Sequence, residues 1–250
     1  MDDAVFSFAF IADPQIGMNS PFRIDGPSSD KKRLDLAVAY VNENDIDFVI
    51  FGGDQIHNPG SEEWLDIFME CVAGLRVPTY GVAGNHDQFD PRERESVYFQ
   101  RGGPDNFAFT HKNAFFVGLN ASKLRGDYGQ DRQREEWATL TREFDRCPAD
   151  CSQRFVVMHW PLFFRHPGED DDCWNMPNRR QLIEFFGERR VSCVLSGHVH
   201  QDLDASWHGV GLVTSIGTSV AIHYPEELSF KVITVFKDGW LARRVSVERM

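Results

Sequence analysis

The chain has 250 residues, long enough for a sizeable core, and its 26% charged residues and 21 phenylalanines are those of an ordinary globular protein. A formal net charge of −12 argues against a nucleic-acid duplex or an anionic membrane as the main partner. Phosphorylated substrates stay open, because bound divalent cations reverse the local sign of a site.

In chain order, residues 5–12 form a Phe-rich apolar run that reads as a buried strand, broken by Asp13-Pro14-Gln15-Ile16-Gly17. Residues 20–30 are polar and loop-like, and Ser29 or Asp30 is expected to cap the next helix, whose stripe is Leu34, Leu36-Ala37-Val38 and Val41. A second strand over 48–51 is closed by Gly52-Gly53-Asp54. Ser61-Glu62-Glu63-Trp64 opens a helix with its acids in the first turn, and Leu65, Phe68, Met69 and Val72 continue its apolar face. A third strand over 77–82 delivers Asn85-His86-Asp87. Beyond a charged, partly helical stretch to Gly103, segments 106–110 and 114–119 read as a hairpin. An amphipathic helix follows over 131–144 with Trp137, Leu140 and Phe144 inward.

Residues 155–158 are a strand ending at His159, followed by an irregular loop over 160–178 whose acidic run 169–172 reads as solvated. A helix over 179–188 leads to a strand over 191–195 and then Ser196-Gly197-His198-Val199-His200. Strands are expected at 203–207, 211–215, 218–222, 230–236 and 240–247. Helices alternating with strands and then a tail of strands predict an α/β fold with two packed sheets and helices outside. There is no linker of domain-separating length and no internal repeat, so residues 1–250 read as one domain. No apolar run reaches membrane-spanning length and Met1-Asp2-Asp3 has no basic segment of a signal peptide, so the expected location is cytoplasmic. Of the five cysteines, Cys71 and Cys193 sit in apolar runs as buried thiols. Cys173 lies in the irregular loop, and Cys147 and Cys151 read as reduced loop residues, since no second pair of zinc spacing accompanies them.

Asp13, Asp54, Asn85-His86-Asp87, His159 and His198 each follow an apolar run of strand length. Taken singly, each is a capping Asp, a turn Asn or a surface His. Five strand ends that bring oxygen and nitrogen ligands to one rim make a metal site, with an open face for a phosphoryl group. The ordered set Asp13, Gly53-Asp54, Gly84-Asn85-His86-Asp87, His159 and Gly197-His198-Val199-His200 resembles the calcineurin-like metallophosphoesterase superfamily over nearly the whole chain. The resemblance implies a four-layer α/β/β/α sandwich, two mixed sheets flanked by helices, with two divalent metal ions at the strand ends. Asp13, Asp54 and His200 would hold one ion and Asp54, Asn85, His159 and His198 the other. His86 would face the substrate as a catalytic residue, oriented by Asp87, while a hydroxide bridging the metals attacks phosphorus.

The superfamily's first motif is Asp-x-His, and here it is Asp13-Pro14-Gln15. Gln15 is therefore a weaker candidate ligand, and the substitution resembles a subgroup whose animal member is regarded as a serine/threonine protein phosphatase. The oxygen-rich donor set predicts Mn, Fe or Mg at the Asp13 site and Mn or Zn at the His159/His198 site. The expected function is hydrolysis of a phosphomonoester, on a small molecule or a phosphoprotein. The alternatives are a phosphodiesterase of nucleotides or glycerophosphodiesters and a non-catalytic metal-binding scaffold. His57, Trp160, Phe163, Phe164, His166 and Trp174 are candidates to line the mouth, with packing the expected role of the aromatics. Nothing in the sequence specifies an oligomeric state.

Overall fold

Phe6–Ile11 (β1) is apolar on both faces: Phe6, Phe8 and Phe10 point to one side and Ala9 and Ile11 to the other, and all five are buried. A strand with that pattern needs a layer on each side. The computed structural model describes residues 4–18, 28–90, 95–166, 168–170, 174–223 and 227–249, and supplies both layers. The chain continues through α1 (Ser28–Glu43), β2 (Phe48–Phe51), α2 (Glu62–Ala73), β3 (Thr79–Gly81) and the short α3 (Val97–Gln100). The hairpin β4 (Phe107–His111) and β5 (Ala114–Leu119) is followed by α4 (Ala121–Arg125), α5 (Gln130–Asp145) and β6 (Gln153–Met158). Next come α6 (Arg179–Glu188), β7 (Cys193–Ser196), β8 (Asp204–Trp207), β9 (Val210–Thr214), β10 (Ser229–Val235) and β11 (Trp240–Ser246).

One sheet has the order β11-β10-β1-β2-β3 and the other β4-β5-β6-β7-β9-β8. Both are mixed: β1, β2 and β3 run parallel with β10 antiparallel to β1, and β5, β6, β7 and β9 run parallel between antiparallel β4 and β8. Leu34, Ala37 and Val41 of α1 with Leu65 and Phe68 of α2 cover the outer face of the first sheet. Leu140 and Phe144 of α5 with Leu182, Ile183 and Phe186 of α6 cover the second. Between the sheets Phe8 meets Phe116 edge-on at 5.2 Å, and Phe116 stacks on Phe155 at 5.0 Å. Each such ring contributes about 1.5–3 kcal/mol by its burial. The architecture is the expected four-layer α/β/β/α sandwich.

Several local readings need correction. Ser29 and Asp30, expected just ahead of α1, lie within it, since the helix already begins at Ser28; Asp30 stands in the first turn, where it pairs with Arg33 at 2.5 Å. The 218–222 segment is not a strand. Its carbonyls go to side chains instead of a neighbouring strand: Arg33 donates to the oxygens of Thr218 and Ser219, and His200 Nδ1 lies 2.7 Å from that of Val220. Glu169 is a staple of its loop, accepting the N–H groups of Arg165 (2.7 Å) and Phe164 and the amide of Asn175 (2.8 Å). Asp171, Asp172, Cys173 and most of the 20–30 loop lie outside the described residues. Ser61 caps α2 as expected, its Oγ accepting from the N–H of Trp64.

Parallel strands send their carboxyl ends to one edge, where open α/β sheets offer ligand sites. β1, β2 and β3 of the first sheet and β6 and β7 of the second all end there, and the packing of the two sheets brings the loops together. Within the second sheet a bond from Gly197 N to His159 O, at 3.0 Å, ties the ends of β7 and β6, and within the first a bond from Asp13 N to Gly53 O, at 3.1 Å, ties those of β1 and β2, which fixes the heights of the loops.

Candidate metal centre

Asp13 leaves β1, Asp54 leaves β2, Asn85-His86-Asp87 leaves β3, His159 follows β6 and His198 and His200 leave β7. The turns are forced ones. Asp13, Gln15, Asp54, His198 and His200 all have φ between 39° and 68°, a left-handed backbone that costs a non-glycine residue about 1–3 kcal/mol. Surrounding contacts must hold them there. The N–H of His198 reaches both oxygens of Asp13 at 3.1 and 3.0 Å, and the N–H of His86 donates to Asp54 Oδ1 at 2.8 Å. Two glycines allow the approach: a Cβ on Gly84 would stand 2.0 Å from Asp54 Oδ1, and one on Gly197 2.2 Å from Asp13 Oδ2.

The side chains converge in an arrangement that lacks protons. His159 Nδ1 lies 2.9 Å from the Gly52 carbonyl and His200 Nδ1 2.7 Å from that of Val220. A carbonyl only accepts, so each Nδ1 carries a hydrogen and each ring turns Nε2 inward, where the neutral form presents a lone pair. That lone pair faces carboxylate oxygen: His159 Nε2 stands 3.2 Å from Asp54 Oδ2 and 3.9 Å from Asp13 Oδ1, and His200 Nε2 stands 3.4 Å from Asp13 Oδ1. Acceptors aimed at one another need a cation or a proton between them. Asn85 adds a buried Oδ1 that receives no hydrogen bond among the described residues. Ligand atoms of Asp54, His159 and His198 all fall within 4.8 Å of one another. Imidazoles whose far N–H is held by a backbone carbonyl, beside fixed carboxylates, are the donor set of divalent transition metals. The residues fit such ions.

The protonation states carry the same message. Burial pushes Asp13 well above the usual carboxylate range; burial also works to raise Asp54, but the charges of and hydrogen bonds from His159 and His86 together hold it below that range. Burial works against charge on His159 too, yet Asp54 and Asp13 raise it to about 9, so without metal a proton takes the cation's place there. His200 is pushed by burial down to about 4 and stays neutral.

Gln15 lies in the same cluster, with Nε2 3.4 Å from Asp54 Oδ2 and Oε1 3.4 Å from Ser219 Oγ. His86 lines the cleft and its Nδ1 is 2.9 Å from the carbonyl of His57, whose ring stacks on it at 4.9 Å. The expectation that Asp87 orients the His86 ring does not match these contacts. Both Asp87 oxygens are taken by backbone N–H groups of Gln55 (2.8 Å), Ile56 (3.1 Å) and Gly84 (2.8 Å), so Asp87 staples the turn after β3 to the turn after β2. His57 is a residue that does touch the ring.

Of the residues expected at the mouth, Trp174 lines a cleft of about 230 Å³, with Met18, Ile222 and the metal-facing groups. Trp160, Phe163 and Phe164 are buried, and His166 is exposed. The sequence reading missed a supporting network centred on α4. Ser122 Oγ accepts from Trp160 Nε1 and from Gln88 Nε2, both at 3.2 Å; the Trp160 ring lies 3.6 Å from that of His198; and the Arg125 guanidinium sits 3.8 Å from the centre of the Trp160 ring. One signal for it was present. Asn120, which caps α4, follows an apolar run of strand length just as Asp13 and Asp54 do.

Comparison with known proteins agrees with this geometry. The profile of the Calcineurin-like phosphoesterase family matches residues 6–202. The chain belongs to the calcineurin-like phosphoesterase family and is a metal-dependent phosphoric ester hydrolase. It is similar to the serine/threonine-protein phosphatase CPPED1 of Danio rerio, 27% identical over 98% of this chain and 86% of the relative. It is also similar to the 3′,5′-cyclic adenosine monophosphate phosphodiesterase CpdA of Escherichia coli K12, 24% identical over 80% of this chain and 70% of that protein. Its fold matches the crystal structure of a dimetal phosphatase from Danio rerio with a TM-score of 0.73, at 18% identity, covering 98% of this chain and 97% of the other.

Proposed function

We propose that the chain is a phosphomonoesterase that uses two divalent ions and acts on a small phosphate ester or a phosphoprotein. Asp13, Asp54 and His200 would hold one ion, as Mn, Fe or Mg, and Asp54, Asn85, His159 and His198 the other, as Mn or Zn. When bound, such ions neutralise phosphoryl charge and make water a nucleophile at neutral pH. The observation that carries the reading is Nε2 of His159 facing Asp54 Oδ2 at 3.2 Å, beside a cleft that His86 lines. With Nδ1 of His86 committed to the His57 carbonyl, the doubly protonated ring has Nε2–H left to donate to a phosphoryl oxygen and to hand that proton to the leaving oxygen. Asp87 positions this loop. The monoester reading is supported by the relative named as a phosphatase, which matches 98% of the chain against 80% for the one named as a phosphodiesterase.

Residues 1–250 act in this reading as one domain in the cytoplasm, in keeping with the free thiols of Cys71, Cys147, Cys151 and Cys193. A net charge of −12 disfavours nucleic-acid duplexes and anionic membranes as partners. No described helix is long and apolar enough to cross a membrane. The test is hydrolysis of an aryl phosphate monoester beside the matching diester, with protein stripped of metal and reconstituted with Mn²⁺. Faster monoester turnover is expected. Faster diester turnover would move the reading to the phosphodiesterases, and silence on both would make the chain a metal-binding scaffold.

A further inference from the structure

The cleft at the metal centre has two unlike sides. Gln15, Asp54, Asn85, His86, His198 and His200 form a polar floor, and Met18, Trp174 and Ile222 form an apolar wall. Ile222 is 44% exposed, and only Met69 and Leu241 are comparably exposed large apolar residues among the described ones. An open isoleucine beside polar groups leaves apolar surface in water unless something covers it. Trp174 is braced by neighbouring rings: the Phe164 ring, itself buried, stacks at 5.9 Å and 28°, and His223 meets it edge-on at 4.8 Å and 82°. Its distance to His198 is 5.6 Å, so a group bound at the floor lies within one ring's reach of the indole. No Lys or Arg lines the cleft among the described residues. The volume of about 230 Å³ is below the ~300–1,000 Å³ of sites for drug-sized ligands and suits a phosphate with one ring.

Resting on the monoesterase reading above, we infer that the substrate is a small phosphomonoester whose alcohol carries an aromatic ring near the ester oxygen, with the ring packed between Trp174 and Ile222. In its hydrolysis, the oxygen of water bonds to phosphorus, the ester P–O bond breaks, and the departing oxygen takes a proton to leave as the alcohol. An apolar subsite of this kind discriminates by roughly 10–200-fold between a fitting group and one that leaves it empty. Sugar or glycerol phosphates place hydroxyls against the wall and lose their water without recovering a hydrogen bond.

The test uses Mn²⁺-reconstituted protein and calorimetric titration with benzylphosphonate and propylphosphonate, which cannot be hydrolysed. Benzylphosphonate is expected to bind about 10-fold tighter or more, and Trp174→Ala and, independently, Ile222→Ser are each expected to bring the two dissociation constants together. Equal affinities in the parent protein would overturn the inference, whatever the protein hydrolyses. Turnover is read separately, as the kcat/KM ratio of benzyl to propyl phosphate, whose alcohols are of similar acidity. Selective binding without turnover of either would leave the ring subsite standing and sink the monoesterase reading alone. A phosphoserine peptide preferred to benzyl phosphate by about 10-fold or more would overturn the inference and assign the wall to peptide side chains.

Discussion

His86 and the glycines beside the carboxylates show how narrowly single atoms set this site. His86 touches the cleft and none of the inferred ligand set depends on its ring, so chemistry and metal binding separate at this residue. His86→Ala is expected to lower kcat by roughly 10²–10⁴-fold while metal content by elemental analysis stays unchanged. Loss of metal in that variant would mean the imidazole is a ligand. Gly197 makes the opposite test. A Cβ there would stand 2.2 Å from Asp13 Oδ2 and 2.8 Å from the Cβ of Ala12, so the carboxylate must move. Gly197→Ala is expected to weaken metal binding by about 10–100-fold, the usual effect of disturbing what orients a ligand, in a chain whose circular dichroism is unchanged. Unaltered metal affinity would remove Asp13 from the ligand set.

At the level of elements, the helices that flank the second sheet carry a buried charge. Glu136 of α5 is 3% exposed; its Oε1 accepts the N–H of Asn120 at 2.9 Å, where β5 passes into α4. Burial, with Asp105 nearby, raises its carboxyl from 4.5 to about 7. Because the folded value lies above the unfolded one, the protonated group stabilises the fold, fully below about pH 4.5, and that contribution is lost as pH rises through about 7. The loss is on the order of 3 kcal/mol. Glu136→Gln, which keeps the shape without the charge, is expected to flatten this part of the urea-unfolding stability curve between pH 5 and 8. Parallel curves for the two proteins would show that Glu136 is ionised throughout.

For the whole molecule, the two sheets are coupled by what lies between their edges. Asp13 and Asp54 come from one sheet and His159, His198 and His200 from the other, so ions held by both sets cross-link the sandwich. A ligand that binds only the folded chain stabilises it by about 2.7 kcal/mol at 100 times its dissociation constant, or roughly 5–10 °C in Tm for a chain of this size. Mn²⁺ is expected to raise Tm by that amount in differential scanning calorimetry, and a chelator to reverse it. A Tm indifferent to both would mean that no ion bridges the sheets.

What the linear order of residues determined is the alternation of strands and helices and the donor at each strand end, because both depend on local pattern. Buried strands announce themselves by apolar runs, and Asp13, Asp54, Asn85, His159 and His198 each stand just past one. The same local logic misled at 218–222, where an apolar run reads as a strand but its carbonyls are claimed by Arg33 and His200 from distant parts of the chain. It also misled at Asp87, whose place beside His86 hides that its carboxylate turns to backbone N–H groups 31 and 32 residues away. Only the tertiary structure decided which carbonyl holds each imidazole, how Ser122 and Arg125 brace Trp160 against His198, and that Trp174 and Ile222 face one cleft. Those contacts join residues far apart in the chain, and a hydrogen bond or a ring contact between them leaves no period or spacing to read.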